Sequence, residues 1–182
     1  MNTFDHVKIP PDKQIGHHSQ SGYELDYIIT GRGIRTLGTV SGPFQEGEVF
    51  LVPPELSHQW AFDSRNVDGN GFIENISFHF SSCFLEKISE TFPELSDKML
   101  RLRNLTEAVQ YKGKTRESLA QLLSQLDNLE TNKRCPADPH NLSPIATFTN
   151  VAYDITHSFF SSSTSILGKQ TPSNFLVYNV NP

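Results

Sequence analysis

The residues of this sequence with the clearest capacity for chemistry are histidines and one glutamate. Glu24 follows the adjacent pair His17 and His18, and His58 and His79 come later in the chain. Imidazole and carboxylate groups suit iron, manganese and zinc, and they also bind polar ligands through hydrogen bonds. Neighbouring residues of a strand point to opposite faces, so only one of the paired histidines enters a shared site unless the strand is bulged. The candidate metal ligands, for a chain that binds metal, are His17 or His18, of which we take His18, together with Glu24, His58 and His79.

The segment after Gly71 predicts a strand with two different faces. Alternation assigns one face to Ile73, Asn75, Ser77 and His79. The other face holds Phe72, Glu74, Ile76, Phe78 and Phe80. The first face suits a polar pocket, and the second suits packing under helices. Trp60, the only tryptophan, lies two residues after His58 and therefore on the same face of a regular strand.

Composition argues against several classes of function. The 182 residues carry a formal net charge of −5, which disfavours strong nucleic-acid binding by this chain alone. The sequence has no Gly-x-Ser-x-Gly elbow, no phosphate-binding glycine loop and no apolar run near the ~20 residues of a membrane span. Cys83 and Cys135 match no metal or disulfide spacing, so we expect reduced thiols in a cytoplasmic protein.

The elements that must position these side chains are short strands joined by tight turns. Strand-like runs cover residues 23–29, 34–40, 49–52, 58–62 and 72–80. Turn signals separate them, and the strongest are Ser41-Gly42-Pro43 and Asp68-Gly69-Asn70-Gly71. Short strands with this spacing are typical of an antiparallel sandwich or barrel.

From residue 82 the hydrophobic period changes to that of helices. The pattern predicts a first helix that ends near Pro93, a second over residues 95–105, and a third capped by Thr115. The third helix carries a leucine stripe, formed by Leu119, Leu122, Leu126 and Leu129 with Leu123 beside it. Its spacing is compatible with packing on the protein's own sheet and with a dimer seam between two copies.

Charge, composition and the change of hydrophobic period divide the chain into three regions. We expect the sandwich or barrel of strands over residues 1–81, helices over residues 82–135, and a separate tail over residues 136–182. The tail is rich in serine, threonine and asparagine, and its only charged residues are Asp138, Asp154 and Lys169. Low charge without a clear period makes partial disorder the expectation for it.

Two motifs resemble those of the cupin superfamily. The first is the histidine pair with Glu24 and, seven residues later, Gly31. The second is Gly47, followed by Pro53 and then His58. Two features depart from the cupin pattern: the histidines are adjacent, and Glu55 stands where cupins usually have a glycine.

The surrounding segments are similar to the N-terminal sensor domain of AraC-type bacterial transcription regulators. They are Tyr-Glu-Leu-Asp-Tyr-Ile-Ile-Thr-Gly-Arg-Gly from residue 23, Phe-Gln-Glu-Gly-Glu-Val-Phe-Leu-Val-Pro-Pro from residue 44, and His-Gln-Trp from residue 58. The resemblance extends over about residues 5–130. It implies a mainly β fold with C-terminal helices: a cupin-like antiparallel β-barrel (double-stranded β-helix, or jelly roll) plus two to three α-helices.

The resemblance also implies a function. We expect an effector-sensing and dimerisation domain without catalytic residues, cofactor or membrane partner, which binds a small molecule, often a sugar in this family, inside the barrel. Residues 3–11 are expected to cover the ligand as an arm. The expected ligand-binding residues are His18, Glu24, His58, Trp60, Asn75 and His79. The expected interface of a homodimer is formed by Leu119, Leu122, Leu126 and Leu129.

Two further expectations concern partners and chemistry. AraC-type regulators read DNA through a following domain of roughly a hundred residues, and residues 136–182 are too few and too weakly charged to form one. We therefore expect contact with DNA only through a domain that this chain lacks. The rival interpretation is a metal-dependent cupin enzyme of the dioxygenase or isomerase type, with the four candidate metal ligands given above.

Overall fold

Residues 2–133 and 176–178 are described by the structure, a computed structural model of the chain. The strands are β1 Thr3–Ile9, β2 Tyr23–Thr30, β3 Gly33–Leu37, β4 Val40–Phe44, β5 Val49–Val52, β6 His58–Phe62, β7 Ile73–Phe80, β8 Val109–Tyr111 and β9 Leu176–Tyr178. The α-helices are α1 Ser82–Thr91, α2 Ser96–Arg103 and α3 Gly113–Lys133.

The strands form two sheets. The larger has the order β1-β7-β2-β5-β8-β9, and the smaller has the order β4-β3-β6. All strand pairs are antiparallel except β8 with β9, which is parallel. Side chains from both sheets meet in one apolar cluster between them. The mainly antiparallel β fold with three helices confirms the predicted fold class.

Alternation along the strands of the larger sheet separates two apolar layers. In β2, Tyr23 and Leu25 face the helices, whereas Ile28 faces the smaller sheet. The short strand β5 is buried on both faces, which explains its continuous apolar run. In β7, Ile76, Phe78 and Phe80 pack under the helices, and Ile73 lies between the sheets. The predicted division of β7 into two faces is therefore confirmed for these residues.

The glycines of the two sequence motifs occupy turns that disfavour other residues. Gly31 has φ +112°, and a Cβ there would lie 2.8 Å from the Phe62 ring. Gly47 has φ +83°. Glu55, which stands where the motif usually has glycine, keeps a left-handed backbone with φ +62°. The turn thus retains the glycine conformation without the glycine, at a cost of order 1 kcal/mol.

Helix α3 packs on the larger sheet of its own chain. Leu119, Leu123 and Leu126 are buried in the core between helices and sheet, and Leu122 is half-buried against it. This corrects the expected dimer seam, because Leu119 and Leu126 have almost no surface to offer a partner. The structure favours the other interpretation of the stripe, a helix packed on its own sheet. The side chain of Leu129 lies outside the described part.

Several boundaries differ from the sequence expectation. The segment predicted as a turn at Ser41-Gly42-Pro43 belongs to β4, where Pro43 is tolerated because β4 is an edge strand. Strand β8 lies within the predicted helical region, yet it extends the larger sheet by pairing with β5. Helix α3 begins at Gly113, so Thr115 does not cap it.

The N-terminal segment is a strand of the larger sheet. Seven residues of β1 pair with β7, from Thr3 opposite His79 to Ile9 opposite Ile73. The expectation of a covering arm is therefore replaced by an edge strand. Predictions for residues 136–175 and 179–182 lie outside the described residues, while Leu176–Tyr178 pairs with β8. Each helix within the described ranges is too short or too polar to cross a membrane.

Candidate functional site

A cavity of about 230 Å³ lies between the two sheets. Five of the six predicted ligand-binding residues line it, namely His18, Glu24, Trp60, Asn75 and His79. The other residues that line it are Asp5, Val7, Ile9, Gln14, Ile15, Phe62, Ile73 and Ser77. The sixth predicted residue, His58, is fully buried and contacts Glu24 at the edge of this cavity.

Glu24 and His58 form a buried ion pair. The His58 Nε2 atom lies 3.0 Å from Glu24 Oε2, and His58 Nδ1 lies 2.8 Å from the Leu56 carbonyl oxygen. The same Glu24 oxygen accepts a hydrogen bond of 2.7 Å from the Gln20 amide. Because both ring nitrogens of His58 face acceptors, the imidazolium form satisfies all of these groups.

The pKa values of the pair follow from this geometry. Burial acts to raise the pKa of Glu24, but the hydrogen bond from His58 and the charges of His79 and His58 outweigh it and lower that pKa. Burial acts to lower the pKa of His58, but the hydrogen bonds to Glu24 and the Leu56 carbonyl outweigh it and raise that pKa. Both shifts favour the charged pair.

His18 stands beside this pair. Its ring centroid lies 4.2 Å from that of His58, and the backbones of the two residues are joined by hydrogen bonds in both directions. The His18 Nδ1 atom lies 3.0 Å from the Gly16 carbonyl oxygen, so Nδ1 carries the proton and Nε2 is an acceptor in the neutral ring. His17 is exposed, so one histidine of the pair enters the site, as alternation predicts.

The donor set at this place fits a divalent metal. One ligand atom each from His18, Glu24 and His58 lies within 4.8 Å of the others. Carbonyl groups hold Nδ1 of both imidazoles, an arrangement common for metal-ligating histidines. A bound ion would have to replace the direct hydrogen bond between His58 and Glu24. The fourth candidate, His79, has Nδ1 4.0 Å from Glu24 Oε2.

Asp26 is a buried acid that the sequence interpretation missed. It lies two residues after Glu24, on the same face of β2, and is 0% exposed. The Ser77 hydroxyl donates to Asp26 Oδ1, and the Asn75 amide donates to Ser77 at 3.1 Å. Burial, and then the charge of Glu24, raise the pKa of Asp26 well above its ordinary value, which favours the neutral acid. Alternation from Glu24 was the signal that could have found it.

Trp60 forms one wall of the cavity. It is 8% exposed, and its ring packs against Phe44 and Phe50 with centroid distances of 5.4 Å and 4.8 Å. Opposite Trp60 in β3, Arg35 is also buried and lies 5.0 Å above the Phe50 ring. Trp60 therefore belongs both to the cavity wall and to the hydrophobic core.

The segment of residues 10–22 connects β1 to β2 and contributes to the cavity through Gln14, Ile15 and His18; we call it the crossing segment. The Gln14 amide exchanges two hydrogen bonds with the Phe62 backbone, of 3.3 Å and 2.7 Å. The Gln20 carbonyl accepts from the Glu55 backbone at 2.8 Å. Together with the bonds between His18 and His58, these ties hold the crossing segment against the smaller sheet.

A second depression, of about 540 Å³, lies at the outer face of the smaller sheet. Arg32, Ile34, Pro43, Ala61 and Asp63 are among the residues that line it. It contains none of the predicted ligand-binding residues, and Ile34 is 52% exposed there.

Comparisons with known proteins find solved structures with a similar fold but no matching family. No family model matches the chain, and no curated protein matches it. The crystal structure of the AraC-like transcriptional activator CuxR is similar at 11% identity and a TM-score of 0.48, over 85% of this chain and 46% of CuxR. ToxT from Vibrio cholerae is similar at 13% identity and a TM-score of 0.44, over 92% of this chain and 61% of ToxT.

Cupins are also among the similar structures. An RmlC-like cupin family protein with a double-stranded β-helix fold, from Methanocaldococcus jannaschii, has 19% identity and a TM-score of 0.36, over 44% of this chain and 70% of that one. The solved structures similar to this chain thus include both cupins and AraC-like regulators. The chain spans about half of the two regulators' length.

Proposed function

We propose that this chain is the effector-sensing domain of an AraC-like transcription regulator. The observation that carries the proposal is the cavity between the sheets, because five side chains selected from the sequence as ligand-binding residues converge on it. These groups combine hydrogen-bonding side chains with an aromatic wall, the usual composition of a small-molecule site. The motifs around Glu24 and His58 support the same function through their resemblance to this family.

The mechanism requires that ligand binding favours one arrangement of the domain over another. Strand β1 is placed to link the cavity to helix α3. Asp5, Val7 and Ile9 line the cavity, while His6, which lies between them, points the other way. The two ring nitrogens of His6 lie 2.9 Å from Asp127 Oδ2 of α3 and 2.8 Å from Glu74 Oε1. A ligand that shifts β1 therefore changes the contacts of α3.

The output of the proposed regulator is the placement of a DNA-binding domain on a separate part of the protein. We assign no part in a homodimer to the leucine stripe, because Leu119 and Leu126 are buried in the protein's own core. A cytoplasmic location and a carbohydrate effector are the further predictions that come from the family resemblance.

The test is a screen of small molecules by thermal shift, with sugars, alcohols, amines and carboxylic acids as separate sets. We expect at least one compound to raise the melting temperature of the chain in a saturable way. The same compound should give no saturable shift with Asn75→Leu, which removes a polar group from the cavity wall. A screen in which no set stabilises the protein would contradict the proposal.

A metal-dependent cupin enzyme is the second candidate function. The clustering of His18, Glu24 and His58 around one point favours it, as does the carbonyl partner of each histidine Nδ1. A bound ion would supply Lewis-acid or redox chemistry at the polar end of the cavity. The three side chains would hold that ion, and Gln20 would orient the Glu24 carboxylate.

A further inference from the structure

Polarity changes in one direction along the cavity wall that the larger sheet provides. Register places Glu24 beside His79 in the first row, and Asp5, Ser77 and Asp26 in the next. The third row holds Val7, Asn75 and Ile28, and the fourth pairs Ile9 with Ile73. The first row lies six residue steps along β7 from the fourth, which corresponds to about 20 Å. One end of the wall is therefore polar and the other is apolar.

Most polar groups of the wall already have hydrogen-bond partners within the protein, although the buried Asp26 Oδ2 atom has none. Glu24 Oε2 accepts from Gln20 and His58, and the Asn75 amide donates to Ser77, which donates to Asp26. At the apolar end, the Gln14 amide is occupied by the Phe62 backbone. A ligand with hydroxyl groups on every side would leave several of them without partners, and each would cost free energy.

The polar end offers mainly acceptors. His18 donates from Nδ1 to the Gly16 carbonyl and so presents Nε2 as an acceptor. The Asn75 side chain, in the third row, also lines the cavity. The carboxylates of Glu24 and Asp5 flank His79, with Asp5 Oδ2 at 3.6 Å from its Nε2 atom. A carboxylate head group would meet mainly acceptors and negative charges there, with the His79 ring and the second amide hydrogen of Asn75 as the donors among these residues.

The apolar end includes a hydrophobic side chain open to solvent. Ile15 of the crossing segment is 69% exposed and still lines the cavity, together with Phe62 and Ile73. Ile15 therefore extends the apolar end of the cavity toward solvent. An engineered cavity of about 150 Å³ holds benzene, so 230 Å³ accommodates roughly nine non-hydrogen atoms.

We infer that the cavity takes a small amphiphile, with a hydrogen-bond-donating head group, an alcohol or an amine, at His18 and Glu24 and an apolar body directed toward Ile9, Ile15 and Ile73. This inference rests on the proposed sensor function and names the ligand class. It replaces the carbohydrate expected from the family resemblance.

The test uses Trp60, the only tryptophan of the chain, as a fluorescent reporter in the cavity wall. The probes are 1-heptanol, heptylamine, heptanoate and D-glucose, each titrated into the full chain at neutral pH with melting temperature as a second readout. We expect saturable changes of Trp60 emission with the alcohol or the amine. Heptanoate should bind at least about tenfold more weakly, and glucose should give no saturable change.

A pair of matched variants locates the binding. Ile9→Gln places a polar group at the apolar end of the cavity and should weaken heptanol or heptylamine binding by about tenfold. Ile34→Gln makes the same change in the outer depression and should leave binding unchanged. Loss of binding in Ile34→Gln alone would overturn the inference, because the ligand would then occupy the other site.

Two other outcomes separate this inference from the proposed function. Tighter binding of glucose or heptanoate than of both donor-headed probes would overturn the inference and leave the sensor function standing. The inference would also be overturned, and the sensor function left standing, if neither heptanol nor heptylamine bound but another compound set stabilised the protein. Failure of every set in the thermal-shift screen would overturn both.

Discussion

His58 Nε2 lies 3.0 Å from Glu24 Oε2, in an ion pair whose side chains are 0% and 7% exposed. The pair joins β6 of the smaller sheet to β2 of the larger one. A buried pair of this kind adds little net stability relative to apolar residues, but removal of one partner leaves an uncompensated charge. The pair therefore fixes how the two sheets meet at the polar end of the cavity.

Replacement of His58 by glutamine should change how stability depends on pH. The pKa of His58 is raised on folding above its ordinary value of about 6.5, so its contribution is complete below that pH and is lost as pH rises through the folded pKa. Urea unfolding should show wild type more stable than His58→Gln by about 1–3 kcal/mol near pH 6, with a smaller difference at pH 9. The control is His17→Gln, which alters an exposed imidazole. A difference that grows between pH 6 and pH 9 would contradict the assigned charge state.

The Asp26→Asn variant should become more stable relative to wild type as pH rises. Burial raises the pKa of Asp26 well above its ordinary value, so the stability from its proton is complete at low pH and is lost as pH rises through the folded pKa. Asparagine has a similar shape and carries no charge. We expect the free energy of unfolding of Asp26→Asn, relative to wild type, to increase between pH 5 and pH 9. Asp12→Asn, at an exposed position, serves as the control and should show no such trend.

Replacement of Leu126 by alanine should destabilise the monomeric fold. Its side chain is 3% exposed in the core between α3 and the larger sheet, so we expect a loss of about 2–5 kcal/mol in urea unfolding. Leu100→Ala, at a position that is 55% exposed, should change stability by less than about 0.5 kcal/mol. Sedimentation of both variants completes the test. A lower mass for Leu126→Ala at unchanged stability would instead support the predicted dimer interface.

Replacement of Glu55 by glycine should stabilise the protein. Glu55 has φ +62°, a conformation that costs a non-glycine residue about 1–2 kcal/mol, and glycine removes most of that cost. The greater freedom of glycine in the unfolded chain offsets part of the gain. We expect a net increase of about 0.5–1 kcal/mol in the free energy of unfolding. The matched change Glu46→Gly, outside the left-handed region, should destabilise instead, and equal effects at both sites would refute the explanation.

Metal analysis distinguishes the sensor from the enzyme. Under the proposed function we expect the purified chain to hold iron, manganese and zinc far below one ion per chain, and added metal to leave the melting temperature unchanged. Near-stoichiometric metal that is lost in both His18→Ala and His58→Ala would instead support the cupin enzyme. Arg65→Ala is a suitable control because the Arg65 side chain is exposed and its guanidinium group is not a metal ligand.

Strands with a strong local signal could be predicted from the sequence to within a residue. The runs at 49–52 and 58–62 match β5 and β6. An apolar or alternating run that ends at prolines or at a turn has both its type and its ends determined locally. Strand β4 was missed because Pro43 marks a turn locally, whereas its place at a sheet edge is decided by tertiary pairing. Strand β8, three residues long, is too short to give a periodic signal.

Part of the cavity lining could be predicted from the sequence. Alternation and motif spacing identify five cavity residues, since both depend only on strand geometry. Alternation from Glu24 also reaches Asp26, whereas the apolar end at Ile9 and Ile15 depends on how β1 and the crossing segment meet β6 and β7. Such long-range pairing has no local signature. The leucine stripe likewise could not show whether a sheet or a second copy covers it.

Under the proposed function, we expect a ligand to enter and leave the cavity past the crossing segment. Strand β1 forms a wall bonded along seven residues of β7, whereas residues 10–22 are tied to the rest of the protein by contacts at Gln14, His18 and Gln20. The weakest part of the enclosure is therefore this short connection. We therefore expect the residence time of a bound ligand, as distinct from its affinity, to depend on these three contacts with β6 and with the turn that contains Glu55.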